Sequence, residues 1–597
     1  GIFEVFEMGD TAAECMLASA EFYRQRNEIK KAVKFAKASS LLAESDGMKL
    51  LTVYQTGKLF YLHTLNFLDA EKYLEVAYNK MREMPPEAVQ EYRLEAACML
   101  AEIYVSSRNF NKIQTLAKAE WAEARSSPQL FTRLAFVCAE AAMVEGNAAS
   151  AFHFLDQLSN FYASTSNDLV QRLYVAITKL LVSADVLNEI PDKDVAAIEN
   201  ALTHLPADHP STFNLQVFFA TVRLAHSLSA GQVRTGKTLL RSLQNMTQQK
   251  ALPAGLRWAD SSYITALTCL MTQQASMQHC SFDRAVKYHQ YAVKHISEYS
   301  HKSSSRPLDA GVFHAMRRMS LVANEMMAQF NIVSCHFDSA ATNITTMLEM
   351  SEQIPVLAID ARPRIHLLLG LLALYMEDED SADRQFRVAA EMSEVCGLRD
   401  AQLPVIITLH RTLLYLTQCR QPEYYELADK IELNRTASCS PPVRAAVRFV
   451  RAFHAFLNNR PAECKQHVSD ELSLTQAEDM FRLHTLAILL CSSLSSSFNN
   501  GASLMDTLRP TMEWSTRAND TATLMWTHSL IHGWLERSGN VAEAEQQKNR
   551  LGELANAIEE AKKSLLLHPA RNLIKWTKEN VADFLPRERT VAVYNNS

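Results

Sequence analysis

A recurring arrangement of small and large side chains sets the tightest limit on how this chain can fold. It reads Ala70–Leu74–Ala77, Ala151–Leu155–Leu158, Ala340–Ile344–Met347 and Ala382–Phe386–Ala389. Spacings of four and three place all three side chains on one face of a helix. Twelve residues upstream a second small residue stands on a preceding helix: Ala139 before Ala151, Ala328 before Ala340, Gly370 before Ala382. Two antiparallel helices approach closely only where small residues face each other and a large one fills the gap beside them. The small position recurs at Ala70, Ile113, Ala151, Gly236, Ala285, Ala340, Ala382, Cys464 and Ala544. Three of these steps are near 80 residues and count as doubles, which leaves a period of about 43 residues.

Leu369-Gly370 followed by Ala382, Phe386 and Ala389 fits the L-G … A-x3-F signature of tetratricopeptide repeats, and Ala101 with Tyr104 repeats its first half. At 597 residues the chain exceeds the span of one ordinary core, and a stack of repeats is how such a length stays continuous. Glycine (15) and proline (18) are scarce, and strong helix formers dominate. The reading is all-α: an irregular tetratricopeptide-like superhelix, or α-solenoid, of about a dozen helix pairs. Residues 1–10 are expected as an N-terminal extension, 11–577 as one continuous superhelix and 578–597 as a tail. Gly146, Gly231 and Gly539 each sit between two helical patterns, where a left-handed cap is needed. Ser303–Pro307 and Ser438–Pro442 read as longer loops, and Val591–Ser597 as a loose end.

The formal charge is −6, from 60 Lys and Arg against 66 Asp and Glu, so a long phosphate-gripping surface is disfavoured while a local basic patch stays open. Eleven cysteines are scattered without a C-x-x-C pair, and Cys98, Cys138 and Cys269 lie on apolar helical faces. They read as core residues of a reducing compartment. The nineteen histidines form no metal pattern: His289 and His295 are six apart, whereas a two-ligand helical site wants three or four. No apolar run approaches the ~18 residues that span a bilayer, and Gly1–Asp10 lacks a signal-peptide pattern. The expectation is a soluble intracellular protein without cofactor, metal or catalytic residues.

One segment imitates a phosphate-binding loop. Gly231-Gln-Val-Arg-Thr-Gly236-Lys237-Thr238 matches G-x4-G-K-[ST]. Such a loop needs a buried strand before it, yet Leu215, Phe218, Phe219, Val222 and Ala225 follow helical spacing. The match is read as chance, with Gly236 at the small packing position and no nucleotide bound.

The first helix of each tetratricopeptide pair lines the inner surface through positions 2, 5, 9 and 12. These positions hold apolar rows: Phe136 and Met143; Leu267, Leu270 and Met277; Leu367, Leu371 and Leu374; Phe449, Phe453 and Phe456. Rows of this kind are rarely left bare to water. Either the superhelix closes tightly on itself or a partner segment fills it, and periodicity leaves both open.

Leu215–Val233, Ala477–Leu490 and Asn572–Thr577 resemble the MAU-type chromatid cohesion factors, with weaker similarity through Leu367–Leu371 and Arg448–Phe456. That family is the tetratricopeptide subunit of the cohesin loader. The resemblance implies a non-catalytic nuclear scaffold, chromatin-associated, that wraps the extended N-terminal segment of a large Nipped-B-type subunit. It implies a heterodimer with that subunit, indirect contact with cohesin and chromatin, and support of sister-chromatid cohesion. The eleven apolar inner positions become the expected contacts. A peptide-binding adaptor of another complex, a P-loop regulator using Lys237 and Thr238, and a direct DNA-binding scaffold, which the charge of −6 disfavours, are the alternatives.

Overall fold

The computed structural model describes residues 8–64, 66–165, 168–206, 209–249, 261–302, 310–396, 400, 402–477, 480–495 and 501–575. Loop 303–307 and the tail 578–597 lie outside them. Among the described residues the helices fall into thirteen consecutive pairs. They are α1 (Gly9–Gln25) with α2 (Ile29–Leu42), α3 (Asp46–His63) with α4 (Phe67–Arg82), α5 (Pro86–Ser106) with α6 (Phe110–Ala124), and α7 (Pro128–Val144) with α8 (Ala148–Thr165). Next come α9 (Leu169–Val182) with α10 (Asp192–Thr203), α11 (Pro210–Ser229) with α12 (Val233–Gln249), α13 (Ser261–Gln278) with α14 (Phe282–Lys302), and α15 (Ala310–Val333) with α16 (Phe337–Gln353). The last are α17 (Pro355–Tyr375) with α18 (Glu379–Cys396), α19 (Leu403–Thr417) with α20 (Gln421–Ala428), α21 (Pro441–Leu457) with α22 (Pro461–Ala477), α23 (Phe481–Ser495) with α24 (Gly501–Ala518), and α25 (Thr521–Arg537) with α26 (Val541–Leu567). A 3-10 segment, Pro569–Lys575, follows.

One backbone device makes most of the pairs. In ten of the thirteen a short turn between first and second helix carries a residue with left-handed φ: Gly146, Gly231 and Gly539 as expected, but also Asn27, Arg108, Cys280, Cys335, Glu377, Cys419 and Asn459. In each, the next residue's N–H returns to a carbonyl five residues back, as Ser281 N to Ser276 O at 2.9 Å and Asp378 N to Ala373 O at 3.0 Å. This is the Schellman closure, which satisfies a carbonyl the helix end leaves free. Five residues beyond the left-handed position stands the small residue of the repeat: Ala151, Gly236, Ala285, Ala340, Ala382, Cys464 and Ala544 are all buried. At Gly370 the fit is absolute, since an added Cβ would overlap the Phe386 ring. The double step between Ala382 and Cys464 resolves the same way. Cys419 is left-handed and buried Tyr424 takes the small position, on a second helix shortened to eight residues.

The stack coils until its turns touch. Arg108, in the α5–α6 turn, donates to Asp360 of α17 at 2.7 Å across 252 residues of sequence. Asn188, beyond a π-helical turn at Ser183–Leu187, donates to the Ser438 carbonyl at 2.8 Å and accepts from Gln402 at 3.1 Å. Gln402 in turn accepts from the Ser440 N–H and hydroxyl, ordering the 438–440 turn before Pro441 opens α21. The C-terminus also returns: Lys562 bonds Glu377 at 2.8 Å, Ser564 meets Asp338, and Gln385 donates to the Ile574 carbonyl at 2.9 Å. The largest core, spanning α15 to α21, takes in Leu565 and Ile574 from that returning segment. No helix of the described residues is long and apolar enough to cross a membrane.

Candidate partner-binding channel

The inner faces of the first helices do not form an open apolar groove. Leu270, Leu367 and Phe449 are buried, and Phe136, Met143, Leu267, Met277, Leu371, Leu374, Phe453 and Phe456 are half-buried. Their neighbours are this chain's own residues. Phe449 and Phe453 stack at 6.2 Å and join Phe456, Leu413 and Trp526 in one cluster. Leu267 and Leu270 pack on Met316 and Met319, while Met277 meets Phe282 and Phe330. Phe136 and Met143 flank Ala139 and Val182. Much of the inward apolar surface is thus consumed in joining one repeat to the next.

Where successive turns meet, a cavity of about 720 Å³ remains. Its walls come from the ends of α7 and α11, the π-helical turn, α15, α16, α17, the start of α19 and the segment before α21, and include Met143, Asp185, Val322, Asp360, Arg364 and Arg435. Charge is arranged as a ladder along one wall. Arg364 donates to Glu325 at 2.9 Å and to Asp400 at 2.7 Å, and Arg318 reaches Asp360 at 3.1 Å, the carboxylate that Arg108 also binds. The flanking Glu325 and Asp400 carboxylates hold the Arg364 charge against the cost of burial. Apolar Met143, Leu321, Met347 and Leu357 alternate with these groups, and Val322 is 42 % exposed. Aliphatic patches beside fixed charges suit a segment held by its side chains and oriented by its polar backbone.

Further along, Arg482 of α23 bonds Asp520 at 2.9 Å beside Tyr375 and Cys280, which belong to earlier repeats. Burial, with the Arg482 charge, lowers His410 to about 4, so its imidazole is neutral near pH 7 and stacks on Phe386 at 6.0 Å. Among the described residues no group of His, Cys, Asp and Glu is placed to hold a metal ion.

The glycine-lysine-threonine motif lies in a helical hairpin. Helix α11 precedes it, Gly231 forms the left-handed turn, and Gly236, Lys237 and Thr238 sit inside α12. The Gly231 and Gly236 N–H groups are bonded to Leu228 and Gln232 carbonyls, so they are turned away from any phosphate.

Of the eleven inward apolar residues, Met143 alone lines the cavity. Sequence reasoning missed the charged wall, although the spacing held the signal. Position 2 of the Gly370 repeat is Arg364, an inward position whose charge the apolar pattern does not reveal.

A family model described as cohesin loading factor matches residues 45–542. The chain belongs to the cohesin loading factor family. This cohesin loading factor is 29 % identical to maternal uncoordinated protein 2 of Caenorhabditis elegans, over 98 % of this chain and 99 % of that one. It is 23 % identical to the MAU2 chromatid cohesion factor homolog of Drosophila melanogaster, over 86 % and 82 % of the two chains. Its fold is similar to that of Scc4, solved in complex with Scc2n, with a TM-score of 0.59 and 9 % identity over 92 % of this chain and 99 % of that one. Scc4 solved with Scc2n and Ctf19n gives a TM-score of 0.60, again at 9 % identity, over 92 % and 97 %. The irregular tetratricopeptide-like fold and the cohesin-loading family expected from the sequence both stand.

Proposed function

We propose that this chain is the scaffold subunit of a cohesin loader, acting on chromatin in the nucleus without chemistry of its own. It encloses an extended N-terminal segment of a larger, Nipped-B-type subunit and holds it as a heterodimer. The observation that carries this reading is the cavity between superhelical turns, with its charged ladder, the exposed Val322 and the half-buried Met143 over buried Leu321, Met347 and Leu357. The similar Scc4 fold, solved with Scc2n, supports a partner of this class. A segment that orders on binding loses chain entropy, and an enclosed, partly apolar channel offsets that loss. Met143 is the inward residue we assign to direct contact, and the other ten join one repeat to the next. Charge placed at Phe449 or Phe453 would test folding instead of binding, because both sit in a core cluster.

The test is co-purification of the tagged full chain from nuclear extract, followed by mass spectrometry, for the parent and for Val322→Glu. The parent is expected to recover a large loader subunit near one-to-one. Val322→Glu should lose it at least tenfold with an unchanged melting temperature. Equal recovery by a folded variant would remove the cavity as the binding site, and no such subunit with the parent would overturn the scaffold reading.

A further inference from the structure

Charge in this chain is unevenly spread. The whole carries −6, yet residues 210–333 hold thirteen Lys or Arg against five Asp or Glu. No acidic residue occurs between Pro210 and Trp258. Folding gathers much of this excess onto two second helices, α12 and α14, which both pack against α13. Helix α13 has no charged residue of its own.

On α12, Arg234, Lys237 and Arg241 are exposed, while Val233, Gly236, Leu240 and Leu243 are buried on the opposite side. On α14, Arg284, Lys287, Tyr291 and Lys294 are exposed, while Ala285, Ala292 and Ile296 are buried. Steps of three and four place each set on one helical face. Between the α12 cations stand Thr235, Thr238, Ser242 and Asn245, all exposed, so that face offers hydrogen-bond donors, and α12 itself contributes no carboxylate. On α14 the cations rest on aromatic rings: Arg284 lies over Tyr288 at 5.7 Å and Lys287 over Tyr291 at 5.8 Å. The two α14 carboxylates are Asp283 and Glu298, and Glu298 is 3.9 Å from Lys294.

We propose that the outer faces of α12 and α14 form a belt that binds the phosphate backbone of double-stranded DNA. The chemistry favours this ligand over others that are also anionic. Hydroxyl, amide and cationic donors repeated along a face are the groups that contact phosphate oxygens without reading sequence. The α12 helix runs about 25 Å, long enough to follow several successive phosphates rather than clasp one. A lipid surface would call for an exposed apolar stripe beside the cations; α12 exposes none, and α14 exposes Tyr291 and Val293, two positions apart and so on different faces. The belt uses the Gly236-Lys237-Thr238 segment that mimics a nucleotide loop, and assigns Lys237 to a phosphate of a different molecule. It is separate from the cavity, so DNA and a threaded partner can be held together.

The experiment is fluorescence anisotropy of a labelled 40-base-pair duplex of random sequence with the full chain, at 50, 100 and 200 mM salt. The parent is expected to bind, with affinity falling steeply as salt rises. Combined Arg234→Glu, Lys237→Glu and Arg241→Glu should weaken binding more than tenfold at 100 mM and lower the salt slope by about 2–3. Lys287→Glu with Lys294→Glu should act in the same direction. Lys30→Glu with Lys34→Glu, on the exposed face of α2, is the matched control and should change affinity less than twofold. Circular dichroism of each variant verifies the fold. No binding by the parent at 50 mM, or equal losses in belt and control variants, overturns the proposal. So does capture of the parent by phosphoserine peptide or anionic vesicles with the duplex ignored, which would give the belt to that ligand.

Discussion

An added methyl group at Gly370 would meet the Phe386 ring, and neither helix can yield without moving its whole pair. Gly370→Ala gains helix propensity of about 1 kcal/mol but overpacks the joint. The expected balance is a loss of about 1–2 kcal/mol in urea unfolding, relieved when Phe386→Leu is added. A second residue governs pH response. Glu471 is fully buried, neither of its carboxyl oxygens has a hydrogen-bond partner, and burial pushes its pKa up to about 9 from an ordinary 4.5. In that window the folded state keeps a proton that the unfolded chain has released, so stability falls as pH rises from about 4.5 to 9. The slope from this group is at most about 1.4 kcal/mol per pH unit. Glu471→Gln should flatten the fall, seen as melting temperatures that converge with the parent at pH 5 and exceed it at pH 8. Glu471 carried no signal in the sequence, because nothing in its spacing tells a buried carboxyl from a solvated one.

Helix pairs were legible because their joints are local. The small position, the large neighbour and the left-handed turn all fall within about twenty residues, and Gly146, Gly231 and Gly539 announced themselves. Cys280, Cys335, Glu377 and Cys419 did not, since their left-handed φ is imposed by the Schellman closure on residues without that preference. Helix α26 shows the limit of local reading. Its first residues pair with α25 as the repeat demands, while Leu565, near its end, is buried in the core around α16 and α17, reached across more than 200 residues. Leu565→Ala is expected to cost about 2–4 kcal/mol. Hydrogen exchange should then quicken in α16 and α17, as well as in α26. Protection lost in α26 alone would mean the returning helix is not part of the central core.

At the scale of the whole molecule, Asp360 is where two turns are tied, by Arg108 from one side and Arg318 from the other. Asp360→Asn removes the carboxylate that Arg108 and Arg318 share, at a cost of about 2–3 kcal/mol. Small-angle scattering should register a larger radius of gyration for this variant than for Lys430→Ala, which cuts only an exposed pair within neighbouring repeats. Such ties were out of reach of periodicity. A repeat fixes how each unit meets the next but not the number of units after which the coil meets itself, since small rotations per repeat accumulate over five or six pairs. The closure also decides how a threaded chain could leave. Turns bonded to one another have no seam, so an enclosed segment can escape only by sliding out lengthwise or by waiting for the Arg108–Asp360 and Asn188–Gln402 ties to open together. Its residence time is then set by the breathing of the coil and by the bulk at the segment's ends, more than by the grip at any single residue.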